Sequence, residues 1–434
     1  MIEVKESQTA SFLKGKIIDT LLSFGVTIEQ IFSITSDNGA NMLAAVWLLK
    51  SELEQTLLAD LDEDDDDTEQ LDLTDELCTE FNERLNLIRC AVHSLQLAIL
   101  DVVKKSNESV KKVTDVAKKC KLTRYKTHFE FRNAHYPPVW CQTRWGGIFK
   151  MLESFKIQKE FFVELSGQFP ELDLSCSWEF IEKYVDAFKP VYICTKNMQA
   201  THVSLPDFYM GWLLAISEVQ KIENNTFVPE LVEALTNRLN NLRDSRAFKM
   251  ALYLDPRFNY LGSKIFTGDE KDQVQEYLVD TWNRISELDP CPSSSRTTEP
   301  VTETRNDDFD KFLTDLFGGS APAESSSDRS TFLQQLKALE VEPRQNHGYD
   351  SFQHWLNRSQ THPELYRVAM VVLAVPSNQV SVERAFSAFG LVLSNRRTGL
   401  AEDTLANILL VKLNRELFDK VMPNLYNWKE PETF

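Results

Sequence analysis

Between about residues 93 and 288 the apolar residues recur at intervals of three and four, without any strand-and-turn rhythm. No other feature limits the possible fold of this chain as strongly. Segments 110–120, 147–162, 177–198 and 206–222 each carry one apolar stripe of helical period. With 14 Gly and 16 Pro in 434 residues, the chain also lacks the turn residues that an all-β architecture needs. The spacing therefore predicts a mainly α fold. The length is enough for a sizeable buried core and more than one sub-domain.

Strand character is confined to the N-terminal part. A helix is expected over 8–24, with Phe12, Ile17, Leu21 and Leu22 near helical spacing and Gly25 as its stop. A short β-rich strand follows at 30–35, punctuated by Ser36, Asp37, Asn38 and Gly39. A helix over 40–58 puts Met42, Val46, Leu49 and Leu53 on one face, and a second strand is expected at 87–92, running into a helix from His93 to about Lys105. Toward the C-terminus, Pro-, Ser- and Gly-rich residues 289–331 read as a flexible segment with a short helix at 308–317. Order returns near 330–340. Pro363 suits the first turn of a helix that Pro376 ends. A helix over 377–393 is expected to pack through Val382, Phe386, Phe389 and Leu393, leaving Ala388 and Leu391 outside. The last helix, 401–418, carries Leu405, Leu409, Leu413 and Leu417 at i, i+4, with Leu410 outside.

Charge is unevenly spread. The net charge is −18, yet residues 51–80 alone hold 14 Asp or Glu and no Lys or Arg. The run Asp62 to Asp67 repels itself, so 60–76 is expected to be disordered. Residues 104–132 hold ten Lys or Arg against three acids. Such a stripe, here Lys111, Lys112, Lys118 and Lys119, reads as a phosphate footprint or as a solvated helix face. Seven cysteines, an odd number, do not suggest a disulfide framework and point to a reducing compartment, nucleus or cytoplasm. No apolar run approaches 18 residues and the first residues carry no apolar leader stretch. Neither a membrane span nor a secretory signal is therefore expected.

Five short segments stand out: Ser33 to Met42 with Asp37 and Asn41; Arg89-Cys90-Ala91-Val92-His93; Thr143-Arg144-Trp145; Leu254-Asp255-Pro256-Arg257-Phe258; and Ser381 to Ser387 with Glu383 and Arg384. Asp37 alone reads equally as an Asx turn before a helix, and Glu383 as a solvent-facing acid. Cys90 and His93 give two ligands where structural zinc needs four, and no second pair exists in the sequence. Arg144 and Trp145 could clamp a phosphate and stack on a base, or be an exposed Arg beside a core Trp. Leu254 to Arg257 reads as a helix stop with a structural role.

In order and spacing these segments resemble the hAT (hobo/Activator/Tam3) superfamily of DNA transposases and their domesticated relatives, over about residues 8–418. The resemblance implies an RNase H-like α/β core, its first strands absent here, interrupted by a large all-helical insertion. By resemblance, residues 1–103 are the first half of the core, 104–362 the insertion, and 363–434 the second core half with the C-terminal dimerisation region. Asp37 and Glu383 match the second and third acids of an Asp/Asp/Glu set that holds two Mg²⁺ ions, and His93 lies beside them. Hard cations need oxygen ligands, and paired ions stabilise attacking and leaving oxygens. The first acid would lie upstream of Met1, and no Cys/His cluster precedes residue 78, so a family-type zinc finger is not found. The expectation is a nuclear protein, not an enzyme by itself, with vestigial acids and no cofactor unless Mg²⁺ completes the site. Its expected partners are itself, as a homodimer or higher oligomer through Leu405, Leu409, Leu410 and Leu413, and possibly DNA through Arg144, Trp145 and the lysines. No small-molecule substrate or membrane is expected. The alternative is that the chain is a piece of a longer, active transposase.

Overall fold

The computed structural model describes residues 9–37, 40–58, 85–139, 145–199, 203–288, 328–392, 402–415 and 417–420. The expected disordered run 60–76, the helix 308–317, all but the last residues of segment 289–331, Arg144 and Leu393 lie outside them. The described residues are mainly helical and include two short strands, β1 (Ser33–Ser36) and β2 (Asn86–Arg89).

At the N-terminus, α1 (Ala10–Ser23) starts where the Thr9 hydroxyl accepts the Phe12 N–H. It ends where Gly25, at φ +68°, lets the N–H groups of Gly25 and Val26 reach the carbonyls of Leu22 and Leu21. α1 packs on α2 (Ala40–Leu58), and Val46, Leu49 and Leu85 close a small core with Ile17, Ile18, Ile34 and Leu87.

β1 and β2 pair in parallel, Ser33 opposite Asn86 and Ser36 opposite Arg89, with α2 on the connection between them. Side chains alternate across a strand. Leu87 therefore faces the α1–α2 cluster, while Ile88 enters the main core. Both strands are shorter than the sequence suggests. β2 stops at Arg89 because Cys90 turns the chain into α3 (Ala91–Val103), so His93 lies on a first helical turn.

The main core is continuous from Ile88 to Val380. α3 packs on α10 (Val228–Arg243), and α8 (Trp178–Met198) lies between α6 (Trp145–Ile157) and α9 (Leu205–Gln220). The face of α4 (Asn107–Cys120) carrying Val110, Val113, Ala117 and Cys120 is buried, and the lysine face points outward. α5 (Lys126–Phe131) and α7 (Lys159–Gln168) flank this layer. α11 (Arg246–Tyr253), α12 (Gly268–Leu288), α13 (Asp328–Leu339), α14 (Ser351–Asn357) and α15 (Pro363–Leu373) complete the core, and α16 (Val380–Val392) and α17 (Glu402–Leu413) pack on each other. No helix among the described residues is long and apolar enough to cross a membrane.

Candidate functional site

Three separate stretches meet at the C-terminal end of the strand pair. Cys90 donates its N–H to Ser36 O at 2.7 Å, which adds the last rung between the strands. Ala91 N–H bonds to Ser377 O at 2.9 Å, the Thr35 hydroxyl donates to Pro376 O at 2.7 Å, and Gln379 Nε2 donates to Thr35 O at 2.8 Å. The same loop is tied to the helical layer: Ser377 Oγ donates to Val203 O, and Asn378 Nδ2 to Met198 O. Asn378 also caps α16 by accepting the Val380 N–H at 3.0 Å.

The first turns of α3 and α16 are thereby fixed beside the end of β1. Asp37 is exposed one residue past Ser36, and His93 is half-buried on α3. Glu383 is exposed one helical turn past Gln379, on the first turn of α16. Burial pushes the Cys90 thiol up, partly offset by backbone N–H groups including that of His93, while the Glu383 carboxylate acts in the same direction as burial. Cys90 is thus an enclosed, protonated thiol within the electrostatic reach of Glu383, and no reactive nucleophile. Burial likewise pushes Cys120 and Cys194 up to about 12.

Asp37 and Glu383 are the two expected acids on these stretches, one just past β1 and the other on the first turn of α16. Among the described residues no group of three or more His, Cys, Asp and Glu side chains is placed to hold a metal ion. A two-ion site needs a further bridging oxygen ligand, which the described residues do not place beside Asp37 and Glu383.

Two expected nucleic-acid contacts are corrected or reduced. Trp145 is buried, edge-on to Phe149 and to Tyr192 at 5.9 Å, and cannot stack on a base. Its place at the start of α6 turns the indole into the core. In the basic stretch, Lys118 pairs with Asp115 at 3.6 Å and Lys119 donates to Glu171 O at 3.2 Å. Lys111 and Lys112 are exposed with no acidic partner among the described residues.

The C-terminal helices also depart from the expected facing. Ala388 is 7% exposed and buried, while Val382 and Phe386, expected inside, are exposed. The loop at 376–379 sets the rotation of α16 through its hydrogen bonds, and that rotation turns Val380 and Ala388 inward. In α17, Leu409 is buried and Leu405 half-buried, so Leu409 is not available to a partner. Leu391 at 72% and Leu410 at 63% are exposed as expected; Leu413 is exposed as well. The helix pair therefore presents a broad apolar outer surface.

Sequence reasoning recognised the turn at Leu254 to Phe258 but missed that it is a buried ionic hub. Asp255 is fully buried and Arg257 nearly so, with 2.6 Å between Arg257 NH2 and Asp255 Oδ2. The same guanidinium reaches Asp207 on α9 at 2.8 Å. The Ser351 hydroxyl bonds to Asp255, and Trp355 Nε1 donates to Leu254 O at 2.9 Å. The hub thus fastens α14 to α9 and α11. The clue lay in a charged pair two residues apart inside an otherwise apolar stretch.

Residues 331–414 match the hAT family C-terminal dimerisation region. That span runs from the start of α13 to just past the end of α17. Over 359 residues the chain is 21% identical to a putative AC transposase of Zea mays. The match covers 75% of this chain and 43% of the maize protein, so the chain spans less than half the length of that relative.

Proposed function

We propose, from the premise that the chain belongs to the hAT superfamily, that it works as a self-associating transposase-derived protein that by itself performs no strand transfer. One observation carries the reading: α16 and α17, within the matched dimerisation region, expose Phe386, Leu391, Leu410 and Leu413. Fully burying a side chain such as Leu stabilises by about 1.5–3 kcal/mol. Several per subunit suffice against an association cost of roughly 4–15 kcal/mol. In this reading β1, α2, β2, α3 and α16 are part of an RNase H-like core. Residues 104–362 are its helical insertion, and the Lys111–Lys112 face of α4 meets nucleic acid in a salt-dependent way. What supports the core assignment is the parallel strand pair with Gln379, one helical turn before Glu383, bonded to Thr35 O near its C-terminal end.

Light scattering on the purified chain at micromolar concentration tests the assembly. The expected mass is at least twice 50.0 kDa; a single monodisperse species at the monomer mass rejects the reading. Incubated with DNA and Mg²⁺ or Mn²⁺, the chain is expected to leave the strands intact. Cleavage abolished by Glu383→Gln would restore an enzyme.

A second reading rests on the 43% coverage of the maize relative. Here the chain is one portion of a longer transposase whose remainder supplies the third carboxylate. An in-frame upstream strand bearing an Asp, and cleavage by the extended protein, would favour it.

A further inference from the structure

A large groove opens away from the strand ends, on the helical layer. It has a volume of about 1130 Å³ and is walled by the 132–135 turn, the C-terminal half of α6, the start of α7, and α8. Small-molecule sites usually measure about 300–1,000 Å³, so the groove is sized for a segment of chain. Its rim is fixed: Gln158 accepts the His135 N–H at 2.7 Å and donates to His135 O at 3.0 Å, which holds the turn against the α6–α7 junction.

The lining combines two chemistries. Ile157, 77% exposed, and the exposed Ile193 lie among Arg132, Lys150, Lys156, Lys159, Lys189 and Lys196. Three of these cations are matched: Arg132 by Glu164, Lys156 by Asp186 and Lys159 by Glu182. Lys150 and Lys189 have no acidic partner among the described residues, and Lys196 lies 6.0 Å from the Tyr192 ring centroid.

This balance selects the occupant. Six cations and two carboxylates, Glu153 and Glu160, line the groove, and three of the cations are answered by Glu164, Asp186 and Glu182. The three lysines left over are a small patch beside the about 6–10 phosphate contacts a nucleic-acid backbone typically makes. The Tyr192 ring is stacked on Phe149 at 4.3 Å, the Phe161 ring packs against Phe129, and both are half-buried, so the groove offers a base no fully exposed ring. Exposed isoleucines beside a few unmatched lysines instead suit a helix with an aliphatic stripe and acidic flanks. We propose that the groove between α6, α7 and α8 docks an acidic amphipathic helix of a partner protein: its aliphatic side chains cover Ile157 and Ile193, and its carboxylates meet Lys150, Lys189 and Lys196. This surface lies outside the matched dimerisation region, so the proposal does not depend on self-association.

The test is fluorescence anisotropy with the full chain. The probe is a labelled synthetic helix bearing leucines at i, i+4 and i+7 and glutamates elsewhere. A scrambled peptide of the same composition, a single-stranded oligonucleotide and a duplex run in parallel. The helix is expected to bind and the scrambled peptide to bind at least about tenfold more weakly. Ile157→Glu and Lys189→Glu should each weaken helix binding about tenfold, with circular dichroism unchanged. Failure of the helix to bind overturns the proposal, as does binding by both variants as tight as that of the native chain. Oligonucleotide binding that is lost in Lys189→Glu while the helix does not bind would make the groove a nucleic-acid site instead.

Discussion

Replacing Arg257 with Met removes the guanidinium from a carboxylate that has no access to water. Asp255 is fully buried, and after the substitution only the Ser351 hydroxyl and the Arg257 backbone N–H, at 2.8 Å, remain to answer its charge. Removing one partner of a buried ion pair costs about 3–5 kcal/mol, because the other charge stays enclosed and unmatched. Asp207, the second partner of Arg257, is 43% exposed. Its replacement by Asn should cost less than about 1 kcal/mol, as for a solvated pair. In urea, followed by tryptophan fluorescence, Trp355 reports directly on the docking of α14. With slopes of about 1–3 kcal/mol per M for small proteins, Arg257→Met should lower the midpoint by roughly 1 M or more, and Asp207→Asn by much less. Combining Asp255→Asn with Arg257→Met leaves no buried unmatched charge, so the double variant should lose less than the sum of the two single changes. Equal, small losses for Arg257→Met and Asp207→Asn would refute the reasoning that this pair fastens the C-terminal helices to the helical layer.

Trp145→Ala should destabilise the chain by roughly 3–5 kcal/mol, as expected of a buried indole; an unchanged thermal midpoint would contradict its place in the core. His354 is buried beside Trp355, and burial, reinforced by the Arg358 charge, holds its imidazole below the usual 6.5. Below about pH 6.5 the unfolded chain takes up a proton that the folded chain resists. Stability should therefore fall as pH drops through that value toward the lowered folded one, and be unaffected by this group above it. Denaturation midpoints across that range check the sign, and His354→Gln should remove this part of the dependence.

Helical periodicity carried much of the fold, because apolar spacing alone decides whether a segment can bury one face. It failed where a helix is apolar on more than one side. Val382 and Phe386 lie closer to the helical ideal for a core face than Ala388, yet Ala388 is the buried residue. The rotation of α16 is set by Thr35, Ser377, Asn378 and Gln379, partners up to 344 residues apart in sequence, and no local pattern encodes that. Leu409 fell on the wrong side of the interface reading for the same reason: spacing groups Leu405, Leu409 and Leu413, and only packing against α16 separates them. Trp145 shows the limit for the site. A dipeptide can hint at stacking chemistry, but whether the ring is available depends on Phe149 and Tyr192, which come from two helices. The end of β1 was more legible, since Asp37 follows directly on a short β run; the expected second strand ran past Arg89 to Val92, where the chain is already helical.

Sedimentation equilibrium on the full chain, compared with Leu410→Glu and Leu261→Glu, tests self-association through the C-terminal helices most directly. Both leucines are exposed, but Leu261 lies outside the matched dimerisation region. The account predicts a dimer or larger assembly for the native chain and for Leu261→Glu. Leu410→Glu should weaken it at least about tenfold, the equivalent of 1.4 kcal/mol, with helicity retained. Equal association of all three proteins, or a native chain that sediments only as a 50.0 kDa monomer, would contradict it.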